Sequence, residues 1–447
     1  MSKSAFIRVA ALVIAISMCM TLLTGCTENE MSLIKALLET KPIYSYEAAS
    51  SLEFSLNVVP NKKAPDSYSK DFMETLFRVL GAYLDGAKLD MSVKVGADKD
   101  YESIKEEIII TPTIFGGLMK DLSVGMWLDA KSGDVDDFNM YFKMPRVVSA
   151  LSKETAGKDY LTMNLGSILE FAGDDVGADF SGIFDFKKLT ENSAGLMKPV
   201  SDVIIKAASQ MKPDEIYVRG VRKVVDEYGK MGRVYMLKIS DSGFKKLLRS
   251  AINDIDKETA KELLFAVLDA SIESIENFST ASDIYEEMLS EMEIVKVVLE
   301  DEFDQGYDDI VSGINEFLDT VKRVKILGPK GITVDIGVDY NGYITMWDGI
   351  VDFAIDVERI DQLMGGDYPP DISRVDFSIK FYQKMSKINQ TVNIEMPEIT
   401  KENSISFDDL MISLMEPNSY YNDDFINNSD FGDWNEAWDS VEGFSEF

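Results

Sequence analysis

Ser242-Gly243-Phe244-Lys245 has the Ser-x-x-Lys spacing with which an amine can activate a serine for acyl transfer. No Ser-Asp-Asn or Lys-Thr-Gly segment accompanies it, so a helix start explains Ser242 more simply. Asp339, Asn341, Gly342, Ile344 and Asp348 fall at spacings like those of a calcium loop, whose oxygens must converge on one ion. The first position would then be Gly337, which offers no side-chain ligand, and the last would be Asp348 instead of glutamate. Asn341-Gly342 between alternating apolar residues instead predicts a tight β-hairpin. Two carboxylate groups, Asp134/Asp136/Asp137 and Glu300/Asp301/Glu302/Asp304, could hold Ca²⁺ or act as paired acids. In a chain of net charge −33, solvated surface charge is the better reading of both.

The composition excludes more than these motifs suggest. The 447 residues contain no histidine and two cysteines, Cys19 and Cys26. Ser-His-Asp and Cys-His catalysis, Cys/His zinc sites and histidine-ligated haem therefore have no histidine to build on, and with both cysteines in the first 26 residues none is left for disulfide stapling of the rest. No metal site, cofactor site or catalytic residue is assigned, and the chain is not expected to be an enzyme. The acidity argues against nucleic acid, whose phosphates need a basic surface, and against broad contact with anionic headgroups. At 45% hydrophobic residues, a packed core is expected.

The N-terminus carries the sharpest chemistry. Lys3 and Arg8 form a short basic region, and Val9–Leu23 is almost wholly apolar but shorter than the ~20 residues of a spanning helix. Leu23-Thr24-Gly25-Cys26 follows. This tetrapeptide resembles the lipobox of bacterial lipoproteins, in which the cysteine sulfur is alkylated by diacylglycerol before cleavage in front of it. The resemblance implies a signal peptide over 1–25, fatty acylation at Cys26, and a lipid-anchored extracytoplasmic protein at the cell membrane. Residues 26–31 would be its tether, holding the acidic body off the bilayer.

The remaining chain supplies the elements that must position any site. A short helix carries Ile34, Leu37 and Leu38 on one face, ending before Pro42. Leu52, Phe54, Leu56 and Val58 alternate with polar residues and predict a strand. A helix is expected over 69–85, with Phe72, Leu76, Val79, Leu80, Tyr83 and Leu84 in one stripe and Gly86 as its stop. Strands are expected at 89–95, 108–110, 121–129, 138–144 and 161–165, with a loop over 131–137, and the sheet they form should be apolar on one side and wet on the other. A helix is expected from Pro199 to Met211, then strands near 216–225 and 233–239. A helical block follows over about 241–321, broken near 278–280 and near Gly306. Strands return at 332–338, 344–346, 351–357, 373–381 and 391–396.

This order has a family echo. Ser32–Glu47 followed by Ser51–Leu56 resembles the opening of lipoprotein-carrier-like domains. Val338–Ile344, Val375–Phe381 and Ile388–Pro397 resemble their closing strands. The superfamily includes the periplasmic lipoprotein carrier and mycobacterial lipid-carrying lipoproteins. The resemblance implies an α+β fold over 32–400: an open, curved antiparallel sheet, a half-barrel, covered by helices around an apolar cavity for a hydrophobic small molecule or lipid. Here the helical block would be a long insertion. No cavity residue can be carried over by position. From Ser404 to Phe447 the chain has 11 acidic residues, no basic ones and nine aromatics. This tail is expected to be disordered and is a candidate docking segment for a protein partner. The leading expectation is thus a non-catalytic carrier or binding lipoprotein. The alternative is a structural or assembly lipoprotein working through protein contacts.

Overall fold

A computed structural model describes residues 28–38, 41–63, isolated positions between 75 and 84, 85–114, 122–145, 149, 155–172, 186–211, 217–225, 229–278, 283–363 and 370–415. The expected signal peptide and lipobox, and the tail beyond 415, lie outside them.

One open sheet of 12 strands organises the chain. In chain order, β1 (Ser45–Pro60), β2 (Lys88–Ala97), β3 (Ser103–Thr113), β4 (Val124–Lys131), β5 (Asp134–Lys143) and β6 (Tyr160–Asn164) form an antiparallel meander. A second meander comprises β7 (Val218–Val225), β8 (Met231–Ile239), β9 (Leu327–Val338), β10 (Ile344–Asp356) and β11 (Ile372–Ser386). The two meet where β1 pairs with β11 from Glu47↔Ser386 to Val58↔Val375, so N- and C-terminal halves share one sheet. The short β12 (Ser404–Ser406) lies parallel to β6 at the far edge. Among the described residues the helices are α1 (Glu28–Leu38), α2 (Leu165–Ala172), α3 (Phe186–Gln210), α4 (Asp241–Asn253), α5 (Lys257–Phe278), α6 (Asp283–Thr320), α7 (Val357–Leu363) and α8 (Phe407–Met415), with isolated helical positions between 75 and 84. The class is α+β.

The core sits where helices cover the β7–β9 end. Tyr235, Leu237, Ile239, Val334 and Ile336 on the strands are buried against Leu33 and Ile34 of α1, Ala207 and Ala208 of α3, Leu247 and Ala251 of α4, Leu264 of α5 and Phe303 of α6. α4 starts cleanly because the Ser240 hydroxyl accepts from Gly243 N at 3.1 Å. Asp241 ties that start to β9, accepting from Ile326 N at 2.7 Å, Leu327 N at 2.9 Å and Lys245 Nζ at 2.8 Å.

Several expectations need correction. The stretch 26–31 expected as a tether overlaps α1, which already begins at Glu28 and whose Leu33 is 0% exposed. Pro199 lies inside α3 instead of opening it. Its missing N–H breaks one rung, but the helix continues because Val200, Ile204, Ala207 and Ala208 are buried along it. α6 runs through Gly306 without a break, and the interruption falls earlier, at 254–256, where Asp256 Oδ1 accepts from Thr259 N at 2.7 Å. The 131–137 loop shrinks to a turn at Ser132-Gly133, with Gly133 at φ +72, and Lys131 pairs with Asp134. The 391–396 strand is extended but unpaired. It lies within a strap over 387–403 from the end of β11 to the β6 edge, with Asn389 N bonded to Ser45 O at 2.8 Å and Tyr160 N to Asn403 O at 3.0 Å. The tail from Ser404 is not disordered throughout: 404–415 form β12 and α8, so the folded body extends past residue 400.

Candidate ligand-binding face

Strand register decides which side chains share a side of the sheet, because directly paired residues point the same way. Following the pairs outward from β1 gives unbroken rows. Leu52 lies level with Leu89 on one side and with Phe381, Gly349, Val334 and Leu237 on the other. Ala48 lies level with Val93, Ile108, Met126, Phe142 and Leu161. Phe54 lies level with Ile379, Val351 and Ile332. One side of the sheet is therefore apolar from β6 to β8.

The opposite side is a lattice of cross-strand ion pairs. Lys380–Glu53 and Lys387–Glu47 are at 2.8 Å, Lys94–Glu107 at 2.8 Å, Lys105–Asp129 at 2.9 Å and Arg222–Asp335 at 3.1 Å. Such pairs add at most about 1 kcal/mol each where exposed, as at Lys380–Glu53 and Lys105–Asp129, whereas Glu107 and Trp127 on this same polar side are buried. The strap 387–403 runs over it, since a Cβ built on Gly96 would meet Ile394 at 3.4 Å.

Burial divides the apolar side in two. Under the helices at β7–β9 its residues are sealed. Over β1–β6 and β11 many are half-buried, as at Leu52, Phe54, Leu56, Leu89, Met91, Ile108 and Ile110, although Ala48, Val93 and Ala130 are buried. Methionines recur there, at Met91, Met126, Met140, Met163 and Met385, and their unbranched thioethers adapt to irregular apolar shapes. Gly349 makes room for an aromatic cover: a Cβ there would lie 2.7 Å from the Phe381 ring. Phe353 and Phe377 stack with centroids 6.5 Å apart.

Glu106 breaks the pattern. Its row runs Tyr46, Val95, Glu106, Leu128, Met140, Met163. It is the only charged side chain in the paired apolar rows from β6 to β10. Burial pushes its carboxyl above the ordinary range, with no cation opposing the shift. Tyr46 is pushed up by its own burial and, secondarily, by Glu106. Its sequence neighbour Glu107 points to the wet side, where Lys94 holds it. Sequence reading missed Glu106 because the strand was recognised only at Ile108–Ile110. Stepping back by two from Ile108 would have placed it.

The residues singled out earlier resolve into local structure. Asp339 Oδ1 accepts from Tyr343 N at 2.9 Å and Gly342 takes φ +87, so 339–343 is the expected hairpin turn. Asp348 lies on the wet side opposite Asp335. Ser242 Oγ is 3.2 Å from Ser240 Oγ, while Lys245 Nζ is held by Asp241 and by Val324 O, so the Ser-x-x-Lys pair does not meet. Asp134 Oδ1 accepts from Asp136 N at 3.1 Å and Asp137 pairs with Lys131, which uses these carboxylates locally. Glu300 is exposed on α6. Among the described residues no three His, Cys, Asp or Glu side chains gather as a metal group, and no described helix is long and apolar enough to cross a membrane. A cleft of about 610 Å³ lies between α5 and α6, lined by Asp269, Ile272, Glu293, Lys296 and Val297, away from the sheet. No family model, no curated protein and no solved structure matches this chain.

Proposed function

We propose that the protein is a non-catalytic, membrane-anchored extracytoplasmic lipoprotein that holds a hydrophobic ligand against the half-buried part of its apolar sheet face. On this reading Cys26 is acylated behind Leu23-Thr24-Gly25, the sheet is a half-barrel of the lipoprotein-carrier kind, and the helices over 241–321 are a long insertion that seals one end. The observation that supports it best is the apolar side of β1–β6 and β11, whose rows carry adaptable methionines and are half-buried at many positions instead of sealed as under the helices at β7–β9. Acylation at Cys26 would also hold the body close to its supply of ligand. Only residues 27–32 separate Cys26 from the buried Leu33, which leaves about 15 Å of reach if 28–32 stay helical.

Native mass spectrometry of the purified protein tests the carrier role, with co-purified lipid as the expected result. A protein that emerges bare and takes up no apolar dye refutes it. Metabolic fatty-acid labelling tests the anchor: Cys26→Ala should abolish it, and a variant that still labels refutes the lipobox. One observation favours the assembly alternative. Ile294, Val297 and Val298 of α6 are 60%, 60% and 40% exposed, a small apolar patch suited to a protein contact.

A further inference from the structure

Glu106 is an expensive residue where it stands. A half-buried carboxylate on an apolar surface loses part of its hydration, which a cation would compensate. Among the described residues no side chain supplies either: no hydrogen bond or ion pair reaches it, and the nearest titratable group in its row is the Tyr46 phenol. The other acids of neighbouring strands have lysines on the wet side, as Glu107 has Lys94 and Asp129 has Lys105. Among the described residues, β3 and β4 thus have cations on one side and none on the other.

We propose that Glu106 is the headgroup anchor of the ligand-binding face, and that the ligand is a lipid with a protonated amine at its head. This rests on the reading of that face as a hydrophobic site and names its ligand class. The geometry provides both halves of an amphiphile's needs. From Glu106 on β3, the apolar rows continue across β2, β1, β11 and β10, about 19 Å at ~4.8 Å per strand, enough for an acyl chain laid across the strands. An ammonium at Glu106 would make a charge-assisted hydrogen bond in a partly desolvated setting. An anionic headgroup would meet an unpaired carboxylate there, and the net charge of −33 repels it at long range.

The test is competition against Nile red, a neutral apolar dye, at 0.15 M salt to screen general attraction. Dodecylammonium, dodecanol and dodecanoate are the competitors, below their aggregation limits. The full-length protein is expected to take up the dye and to release it to dodecylammonium at a concentration 10- to 100-fold lower than to dodecanol, about what one charge-assisted bond contributes. Dodecanoate should be the weakest. Glu106→Gln should keep dye uptake, which reports an intact face, and lose the amine preference. Glu102→Gln removes an exposed carboxylate on the turn just ahead of β3 and should keep the preference. A preference that survives Glu106→Gln overturns the proposal, and so does one lost equally in Glu102→Gln. Failure of the wild type to bind dye and all three chains would instead overturn the hydrophobic-site reading itself.

Discussion

Leu33→Ala asks whether α1 is part of the core or a loose connection to the N-terminus. Leu33 is fully buried, in a cluster with Ile34, Ala208, Met211 and Val218, and its helix touches α3 and β7. Truncating a sealed leucine removes the transfer energy of three carbons and leaves a cavity, about 3 kcal/mol together in a rigid setting. With a urea slope of about 3 kcal/mol per M or more for a chain of this size, the midpoint should fall by up to about 1 M. The same loss read locally should speed amide exchange at Tyr235 and Ile336, the strand residues under this helix pack, roughly 100-fold. Lys35→Ala, on the exposed side of α1, is the control and should change stability by less than about 0.5 kcal/mol. A Leu33→Ala protein with unchanged exchange at β8 and β9 would show that α1 is a peripheral tether. The short distance between Cys26 and the folded body would then lose its basis.

Three further outcomes follow from particular contacts. The carboxyl of Glu106 is raised by burial, so its protonated form is the one the fold prefers and its charge is a burden that sets in as pH rises above 4.5. Glu106→Gln should therefore raise the thermal midpoint at pH 7 and lose that advantage near pH 4; an advantage independent of pH would contradict the placement. Asp241 is the opposite case: burial alone would raise its carboxyl, but Lys245 and the Ile326 and Leu327 amides together hold it below 3.8. Its contribution is present above 3.8 and fades as pH falls through its lowered value, so Asp241→Asn should cost about 1–2 kcal/mol at pH 7 and much less in strong acid. Ending the chain at residue 403 removes β12 and α8 and should lower the thermal midpoint by several degrees relative to ending it at 415, and equal midpoints would mean that this edge strand adds nothing.

Local sequence determined much of the sheet. Alternation at Leu52–Val58 and Leu89–Val95 and the Asn341-Gly342 turn each encode a conformation through neighbours only a few residues away, and each is found, whereas most of the helix expected over 69–85 lies outside the described residues. The one-sided character of the sheet was legible for the same reason, since period-2 patterning is a local property. Length and partnership were not. The strap 387–403 carries the same alternating residues as a strand, yet it crosses the sheet because the positions beside β11 are already taken by β1 and β10. Pro199 reads locally as a helix start, but burial of the residues after it outweighs one lost hydrogen bond. Likewise Ser404–Ser406 and Phe407–Met415 look like the start of an acidic tail, until β6 offers an open edge for them to pair with. Glu106 shows the limit most plainly. In the sequence it is one of two adjacent acids in a highly acidic chain, indistinguishable in kind from Glu107. Only the register of β3 between β2 and β4 turns one toward Lys94 and the other onto the apolar rows, because a strand sends successive side chains to opposite faces and the partners on each face come from elsewhere in the chain.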